Sequence, residues 1–273
     1  MDKVKRTKEV YGFLWRRNRK EAPPDSFHFQ KMQEVLPEPI VRGSCGIDLG
    51  SGYGYDTYNM AKFHPLVMIA SLDISDGVYK TREFTSKLNN VKIMQGSLLN
   101  LPLKENAFDF AYSFGVLHHL PDPEAGLREI HRIIKKGACV YLYLYEDHSE
   151  NRIKYSSLKL VTLARLVTTQ LPPKAIAVFS YLLSPVVFLL FSCSARICAK
   201  FTKTKSLAEK MPFNFGTNLF SLSSDIYDRF CAPVEYRYSR KQASDLLSGC
   251  GFTNIYITRL KNTAGWVVRG HKK

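Results

Sequence analysis

Hydrophobic and polar positions follow a regular rhythm between residues 45 and 145. Five short apolar runs alternate with stretches that contain more polar residues, and the runs cover residues 45–49, 66–72, 91–94, 108–114 and 138–145. Apolar runs of this length indicate buried strands, and the stretches between them indicate helices. Strands that alternate with helices predict an α/β fold with a doubly wound, mostly parallel sheet.

The helix that follows the fourth run has signals at both ends. Pro123 stands near its start, and Lys135, Lys136 and Gly137 are expected to end it. Its apolar face consists of Leu127, Ile130, Ile133 and Ile134. This pattern predicts a helix packed on the sheet.

Residues near the end of the chain predict a capped helix and a hairpin. Ser239 and Gln242 have the spacing of a capping box, and the helix is expected to stop at Gly249 and Gly251. Two further strands are indicated at residues 255–260 and 265–270. We expect them to form an antiparallel hairpin on the edge of the sheet.

The chain divides by composition into four parts. Residues 1–40 are basic and aromatic, and they predict one or two short helices. Residues 41–149 carry the regular rhythm, which breaks over residues 150–224. We interpret 150–224 as a helical, apolar insertion or lid, and 225–273 as the part that completes the sheet.

The predicted insertion is both apolar and basic. No charged residue occurs from 175 to 195, which is long enough for a membrane span, but Pro185 is expected to kink the helix or split it into two. Residues 151–210 carry ten Lys or Arg residues and one acidic residue, for a net charge of +9. Basic residues on both flanks argue against a single crossing. Three interpretations remain open: a lid that touches a membrane surface, a transmembrane anchor, and a buried lid or dimer interface.

Composition narrows the possible partners. The 273 residues carry a formal charge of +15, which implies an anionic partner without choosing among nucleic acid, a membrane surface and an acidic substrate. The first twenty residues lack the apolar core of a secretion signal, so we expect a cytoplasmic protein. The six cysteines show no C-x-x-C pair and no zinc-ligand spacing, so no metal site is indicated.

A glycine-rich turn follows the first apolar run, where a nucleotide-binding turn lies in such a sheet. Residues 48–54 read Asp-Leu-Gly-Ser-Gly-Tyr-Gly. Glycines there allow positive φ values and let backbone amides approach a ligand. Asp73 stands 19 positions after Gly54, where a carboxylate can accept hydrogen bonds from both ribose hydroxyls. The third glycine of a dinucleotide fingerprint would fall on Tyr55, which disfavours a dinucleotide.

The G-x-G-x-G spacing, with an acid two residues before the first glycine, resembles the class I S-adenosylmethionine-dependent methyltransferases. Residues 108–111, 115–120 and 128–137 extend the likeness to ubiquinone and menaquinone biosynthesis methyltransferases and related small-molecule enzymes. The resemblance implies a seven-stranded Rossmann-like sheet, S-adenosyl-L-methionine as cofactor, and a small-molecule acceptor. The candidate cofactor-binding residues are Asp48, Gly50, Ser51, Gly52, Gly54, Asp73, Ile74, Ser97, Leu98 and Ser113.

The adenine contact departs from the family pattern. The family usually places an acidic residue after the third strand against the adenine amino group, but this chain has Ser97 there. Either the Ser97 hydroxyl or the backbone amide of Leu98 is expected to make the adenine contact instead.

Two histidines follow the fourth run, on the side of the sheet where ligands collect. We predict His118 and His119 as catalytic candidates, because an unperturbed imidazole titrates at about pH 6.5 and suits a general base. The alternative is a loop histidine that packs near the cofactor methionine. Methyl transfer needs no conspicuous dyad, since the sulfonium is already activated and in-line approach with water excluded provides most of the acceleration.

The preferred function is methyl transfer to a small-molecule acceptor, lipid-like or polyprenyl-linked, at or near a membrane. A nucleic-acid methyltransferase is disfavoured, because residues 113–116 (Ser-Phe-Gly-Val) replace the expected Asn-Pro-Pro-Tyr-like turn and no RNA-binding signature appears. A non-catalytic membrane-associated protein that retains the fold is disfavoured by the intact glycines and Asp73, although Ser97 leaves it some room. We therefore expect membrane-surface contact and no specific nucleic acid. The sequence does not define the oligomeric state.

Overall fold

The computed structural model describes residues 2–17, 27–213, 219–260 and 265–273, without the side chains of Arg17, Phe220 and Ser221. Residues 18–26 of the predicted N-terminal segment and 214–218 of the predicted insertion lie outside the described residues. The chain divides into two compact units. We call Met1–Glu146 with Val234–Lys273 the sheet unit, and Asp147–Pro233 the helical unit. The four-part division made from the sequence stays a prediction.

The sheet unit contains a seven-stranded sheet in the order β3-β2-β1-β4-β5-β7-β6. The first five strands run parallel, and β7 pairs antiparallel with both β5 and β6. The predicted doubly wound, mostly parallel sheet with an antiparallel hairpin at its edge is therefore confirmed. The strands are β1 Cys45–Leu49, β2 Met68–Asp73, β3 Val91–Gln95, β4 Phe108–Phe114, β5 Ile134–Leu144, β6 Phe252–Thr258 and β7 Trp266–Lys272.

Helices surround the sheet and build the second unit. The helices are α1 Lys3–Arg17, α2 His28–Val35, α3 Tyr55–Phe63, α4 Gly77–Thr85, α5 Pro123–Ile133, α6 Arg152–Thr168, α7 Pro173–Val187, α8 Ser194–Ala199, α9 Lys205–Lys210, α10 Leu219–Cys231 and α11 Arg240–Gly249. Helices α6 to α10 belong to the helical unit. The predicted capping box at Ser239 and Gln242 is confirmed at the start of α11.

Buried apolar side chains form two clusters in the sheet unit. One contains Leu127 and Ile130 of α5 and Leu247 of α11. The other contains Met32 of α2 and Met60 of α3. Each cluster also contains sheet residues, so both layers of helices bury their apolar faces against strands.

The predicted end of α5 is wrong. The helix stops at Ile133, and Lys135 and Gly137 lie in strand β5 instead of at a helix terminus. Ile134 pairs with Phe108 of β4, and Lys135 Nζ contacts Asp109 Oδ1 at 2.6 Å. The register between β4 and β5 shifts after this pair, so the Lys-Lys-Gly sequence forms an irregularity within the sheet.

Of the kink or split expected at Pro185, the split is wrong and the kink stays a prediction. Helix α7 runs through Pro185 to Val187 and continues through a π-helical turn, Phe188–Cys193, into α8. Proline has no N–H to donate to the carbonyl four residues earlier. Here that carbonyl belongs to Tyr181. The Ser184 hydroxyl donates to it at 2.8 Å, so the carbonyl still has a hydrogen-bond donor. The continuous stretch Pro173–Ala199 has a mean hydropathy of 2.2 over its most apolar window and is long enough to cross a membrane.

Candidate cofactor site

The site lies at the carboxyl ends of the central strands. Strand β1 is flanked by β2 on one side and β4 on the other, so the strand order reverses there. Such a reversal opens a crevice for ligands in a doubly wound sheet. The loops that follow β1, β2, β3 and β4 carry every candidate residue predicted outside the strands.

The glycine bend, residues 50–54, adopts a conformation that other residues resist. Gly50, Gly52 and Gly54 have φ values of 88°, 58° and 84°. A Cβ on Gly50 would lie 2.2 Å from a Val116 methyl carbon, and one on Gly54 would lie 2.5 Å from Thr81. The amide of Gly50 donates to the Leu72 carbonyl at 2.7 Å, which fixes the bend against the end of β2. Both the backbone angles and the available space therefore require glycine.

Asp73 joins the end of β2 to the glycine bend. Its Oδ2 accepts from the Gly52 amide at 2.8 Å, and its Oδ1 accepts from the Ser75 amide and hydroxyl at 2.7 and 2.6 Å. Burial raises the pKa of Asp73 above its usual value, against the effect of these three hydrogen bonds. The structure thus brings together the two features that the sequence placed next to a ribose, and each carboxylate oxygen can accept more than one hydrogen bond.

Asp48 forms a second buried carboxylate behind the bend. Its Oδ2 accepts from the Thr57 hydroxyl at 2.5 Å, and its side chain is almost fully buried. Burial raises the pKa of Asp48 well above its usual value, and the charges of Asp56 and Asp73 raise it further. Two neighbouring carboxylates with raised pKa values favour a cationic ligand, because a nearby positive charge stabilises their ionised forms.

The residues predicted to face adenine lie after β3, and the cofactor candidate Ile74 lies after β2. The Ser97 oxygen accepts from the Leu99 amide at 3.2 Å, so its hydroxyl hydrogen remains available for donation. Leu98 buries its side chain in the core, which leaves only its backbone for a ligand. Ile74, directly after Asp73, is half-buried.

Ser113 has a structural contact at the end of β4. Its hydroxyl is buried and donates to the Leu49 carbonyl at 2.7 Å, which ties β4 to β1 just before the bend. Ser51 is half-buried, and its amide donates to the Leu72 carbonyl at 3.1 Å. Cofactor contacts by Ser51 and Ser113 stay predictions.

His119 has one ring nitrogen fixed and the other unoccupied. It ends a 3₁₀ turn, Leu117–His119, that follows β4. Its Nδ1 lies 2.8 Å from the Val234 carbonyl, which can only accept, so Nδ1 carries the proton. Its buried Nε2 has no hydrogen-bond partner among the residues that the structure describes. An imidazole held in this tautomer presents a lone pair that can accept a proton.

His118 is held as a neutral ring. It stacks on Tyr145 with ring centres 3.8 Å apart, and it is fully buried. Burial lowers the pKa of His118 well below its usual value, and the charges of His119 and Arg237 lower it further. Of the two predicted histidines, His119 is therefore the better placed to act as a base.

Helix α1 contributes residues that sequence reasoning missed at this site. A Cβ on Gly52 would lie 3.1 Å from the indole of Trp15, so the Trp15 ring rests on the glycine bend. Tyr11, one turn earlier, lies with its ring centre 5.3 Å from that of His119. Arg16 adds an ion pair to Asp76 at 2.8 Å. The four-residue spacing of Tyr11 and Trp15, which places both rings on one side of a helix, was the available signal.

A group of possible metal ligands lies at the other end of the strands. Side-chain ligand atoms of Glu38, Cys139 and His271 lie within 4.8 Å of one another. Arg269 Nη1 lies 3.0 Å from Glu38 Oε1 and already neutralises that carboxylate. The group is explained as an ion-pair cluster, and the absence of a functional metal stays a prediction.

Comparison with known proteins identifies the central part of the chain. Residues 47–142 match a family model described as a methyltransferase domain. The chain is 31% identical over 96 residues to the chloroplastic 2-methyl-6-phytyl-1,4-hydroquinone methyltransferase 1 of Oryza sativa subsp. japonica, covering 35% of this chain and 29% of that protein. It is 30% identical over 104 residues to a demethylmenaquinone methyltransferase of Staphylococcus aureus, covering 37% of this chain and 43% of that protein. The chain therefore spans less than half the length of either relative.

A solved structure extends the similarity in fold. A SAM-dependent methyltransferase from Aquifex aeolicus superposes with a TM-score of 0.52 at 15% identity, covering 91% of this chain and 93% of that chain. At this identity the likeness concerns the fold. The resemblance to S-adenosylmethionine-dependent methyltransferases predicted from the glycine bend is confirmed for residues 47–142.

Proposed function

We propose that this protein is an S-adenosylmethionine-dependent methyltransferase that acts on a small-molecule acceptor. The observation that carries the proposal is the hydrogen bond between the Gly52 amide and the Asp73 carboxylate. It joins a bend that only glycine fits to an acid at the tip of the next strand. The methyltransferase domain matched at residues 47–142 supports the same activity.

The described residues fit the cofactor by their chemistry. Asp73 accepts from the ribose hydroxyls, the glycine bend offers its backbone, and Asp48 supplies negative charge for the methionine end. Ile74, Ser97 and Leu98 provide an apolar contact, a hydroxyl and a backbone amide for adenine. When bound, the cofactor supplies an activated methyl group.

The residues after β4 handle the acceptor proton. His119 Nε2 would take up the proton that the acceptor loses on methylation, while the cofactor sulfur would give up its bond to the methyl carbon and leave as a neutral thioether. The Val234 carbonyl holds the His119 ring in the tautomer that leaves Nε2 free. His118, kept neutral by burial, packs beside it on Tyr145 and does not compete for the proton. General base catalysis accelerates such a step by about 10²- to 10⁴-fold.

We propose a quinone-type acceptor with a lipid-like or polyprenyl-linked tail. Both relatives are named for such acceptors, a phytyl hydroquinone and a demethylmenaquinone. Acceptors of this kind partition into membranes, so we place the reaction at or near a membrane, on its cytoplasmic side. We expect no specific nucleic acid as partner.

Calorimetric titration of the purified protein with S-adenosylmethionine tests the cofactor role. Asp73→Ala should weaken affinity by about 1 to 3 kcal/mol, because ribose hydroxyls are left unpaired. Asp73→Asn preserves the shape of the side chain and tests the charge, while Asp245→Ala, an exposed aspartate on α11, is the matched control. Unchanged affinity in both Asp73 variants would refute the assigned role. No binding by the folded wild type would favour a non-catalytic scaffold.

Mass spectrometry tests the reaction and identifies the acceptor. Lipid and small-molecule extracts from cells with the protein should contain a methylated product that is missing from cells without it. His119→Gln should abolish this product while leaving the affinity for S-adenosylmethionine intact, since the proposed base does not bind the cofactor. A His119→Gln protein with full product formation would exclude His119 as the base.

A further inference from the structure

Helices α6 and α7 of the helical unit expose many large apolar residues, although α7 also buries Ile176 and Val187. Along α7 and the π-helical turn, Val178 is 58% exposed, Leu182 67%, Val186 49% and Leu189 64%. These residues recur every three or four positions and form one side of the helix. A helix of a water-soluble protein buries such a side and exposes its polar residues.

Serines occupy the buried side of the same stretch. Ser180, Ser184 and Ser192 are all at most 1% exposed. Their hydroxyls donate to the carbonyls of residues 176, 181 and 213, at 2.7, 2.8 and 2.6 Å. Small hydroxyl-bearing residues between helices, with large apolar residues outside, are typical of helices whose outer face contacts lipid.

Helix α6 repeats this inverted distribution. Ile153, Leu160, Leu163 and Val167 lie on one side of the helix and are 44%, 70%, 64% and 66% exposed. The connection from α6 to α7 spans only residues 169–172, and both helices pack against α10. We call the exposed apolar residues of α6, α7 and the π-helical turn the inverted face. Exposed apolar surface on this scale marks an interaction site.

The charged residues of α10, which packs against α7, argue that α7 lies on a membrane and does not cross it. Thr168 Oγ1 of α6 donates to the Phe230 carbonyl at 2.9 Å, and Phe179 of α7 packs against the Phe230 ring with centres 5.3 Å apart. The same α10 carries an exposed Asp225 and a half-buried Arg229. If α7 crossed a bilayer, the packed α10 would carry these charges into hydrocarbon, which is strongly unfavourable.

Basic residues stand at both ends of the apolar stretch. Lys174 is exposed at its start, and Lys200 and Lys203 are exposed just after its end. Lys159 lies on the exposed side of α6, beside Leu160. A helix that lies in the plane of a membrane places both ends at the headgroups, where lysines attract anionic lipids.

From these observations we infer that the inverted face inserts into one leaflet of an anionic bilayer, with α10 on the water side. The partner is a lipid surface, and the contact is monotopic. The inference concerns the helical unit alone and does not require methyl transfer. Vesicle binding is measured without cofactor, so a negative result there is distinguishable from failure of the proposed function.

Vesicle sedimentation with the full-length protein tests the surface. The wild type should bind vesicles of phosphatidylcholine with phosphatidylglycerol and bind pure phosphatidylcholine less tightly. The double variant Leu163→Asp/Leu182→Asp should lower binding to the anionic vesicles by at least about tenfold. Leu66→Asp, which alters a leucine of the sheet unit that is 55% exposed, is the matched control and should bind as the wild type does. Equal binding by the double variant would overturn the inference.

Thiol labelling distinguishes an in-plane helix from a crossing. Lys174→Cys and Lys203→Cys variants, bound to vesicles from outside, are treated with a membrane-impermeant thiol reagent and compared with the parent chain. Both new cysteines should react if the stretch lies in one leaflet. Protection of one of the two would show a crossing and overturn the monotopic contact.

A second copy of the chain is the competing occupant of the inverted face. In that case the wild type would not bind vesicles, and light scattering would show a dimer that Leu163→Asp/Leu182→Asp converts to monomer. This outcome would also overturn the inference. A wild type that binds vesicles and a double variant that remains folded but unbound would support it.

Discussion

Helix α5 of the sheet unit and helix α7 of the helical unit relate polarity to burial differently. In the sheet unit, helix α5 buries Leu127 and Ile130 completely against strands. In the helical unit, α7 buries Ser180 and Ser184 and exposes Leu182. Burial of apolar area away from water explains the first arrangement. It does not explain the second, which is the arrangement behind our inference of a lipid contact.

The largest expected difference lies in leucine truncation. Leu127→Ala, at a fully buried position, should lower the free energy of unfolding by about 2 to 5 kcal/mol, because it removes packed atoms and leaves a cavity. Leu163→Ala, at a position that is 64% exposed, should change it by no more than about 0.5 kcal/mol in water. Urea unfolding followed by circular dichroism measures both. Similar losses would show that Leu163 is packed in solution, and the contrast between the units would fail.

A glycine pair tests the close packing at the cofactor site. Gly50 and Gly43 have similar φ values of 88° and 80°, but a Cβ on Gly50 would meet Val116 at 2.2 Å while one on Gly43 has no atom within 4 Å. Gly50→Ala should therefore destabilise the protein by about 1 to 3 kcal/mol more than Gly43→Ala, beyond their shared backbone strain. Thermal unfolding of the two variants gives the difference. Equal melting temperatures would contradict the tight fit around the bend.

The proline in α7 offers a double-mutant cycle within the helical unit. Ser184→Ala should cost about 1 kcal/mol of stability, since the Tyr181 carbonyl loses its donor. In a Pro185→Ala background the same change should cost much less, because residue 185 then supplies its own N–H. Unfolding of all four proteins in lipid vesicles measures the coupling. Identical costs in both backgrounds would show that the serine does not compensate for the proline.

The smallest expected effect is a pH dependence that is larger in the sheet unit. Burial raises the pKa of Asp73, and cofactor binding favours its ionised form, so affinity should fall as the pH is lowered towards that pKa. We expect less than about a fivefold change between about pH 8 and about pH 6, with a flatter profile in Asp73→Asn. Vesicle binding should change less over this range, because the lysines beside the inverted face keep their charges and Asp225, whose pKa is raised to about 6, lies on α10 on the water side. If cofactor affinity and vesicle binding changed with pH in the same way, the expected contrast between the two units would not hold.

Local patterns predicted most of the sheet. The bounds of β1 and β4 were predicted to the residue, because short apolar runs ending in glycine have few alternative structures. The end of α5 was wrong because Lys135 and Gly137 are common at helix C-termini, whereas their position here is set by β4. Sequence spacing cannot detect a partner across the sheet.

The features of the site that the sequence could not predict depend on contacts between residues far apart in the chain. The contact of Trp15 with Gly52 and that of His119 with Val234 join residues far apart in the chain. Ser113 was predicted as a cofactor-binding residue and stays a prediction, and the hydrogen bond of its hydroxyl to the Leu49 carbonyl is visible only in the fold. The glycine bend and Asp73 were predictable because the topology of the sheet brings consecutive strand ends together.

The position of Trp15 gives the molecule an intrinsic optical reporter. The chain has two tryptophans, and the second, Trp266, is buried in β7. Because the Trp15 indole rests on Gly52, a ligand that enters beside the glycine bend changes the surroundings of that fluorophore. Emission spectra of a Trp266→Phe protein would then follow ligand entry in real time without any attached dye.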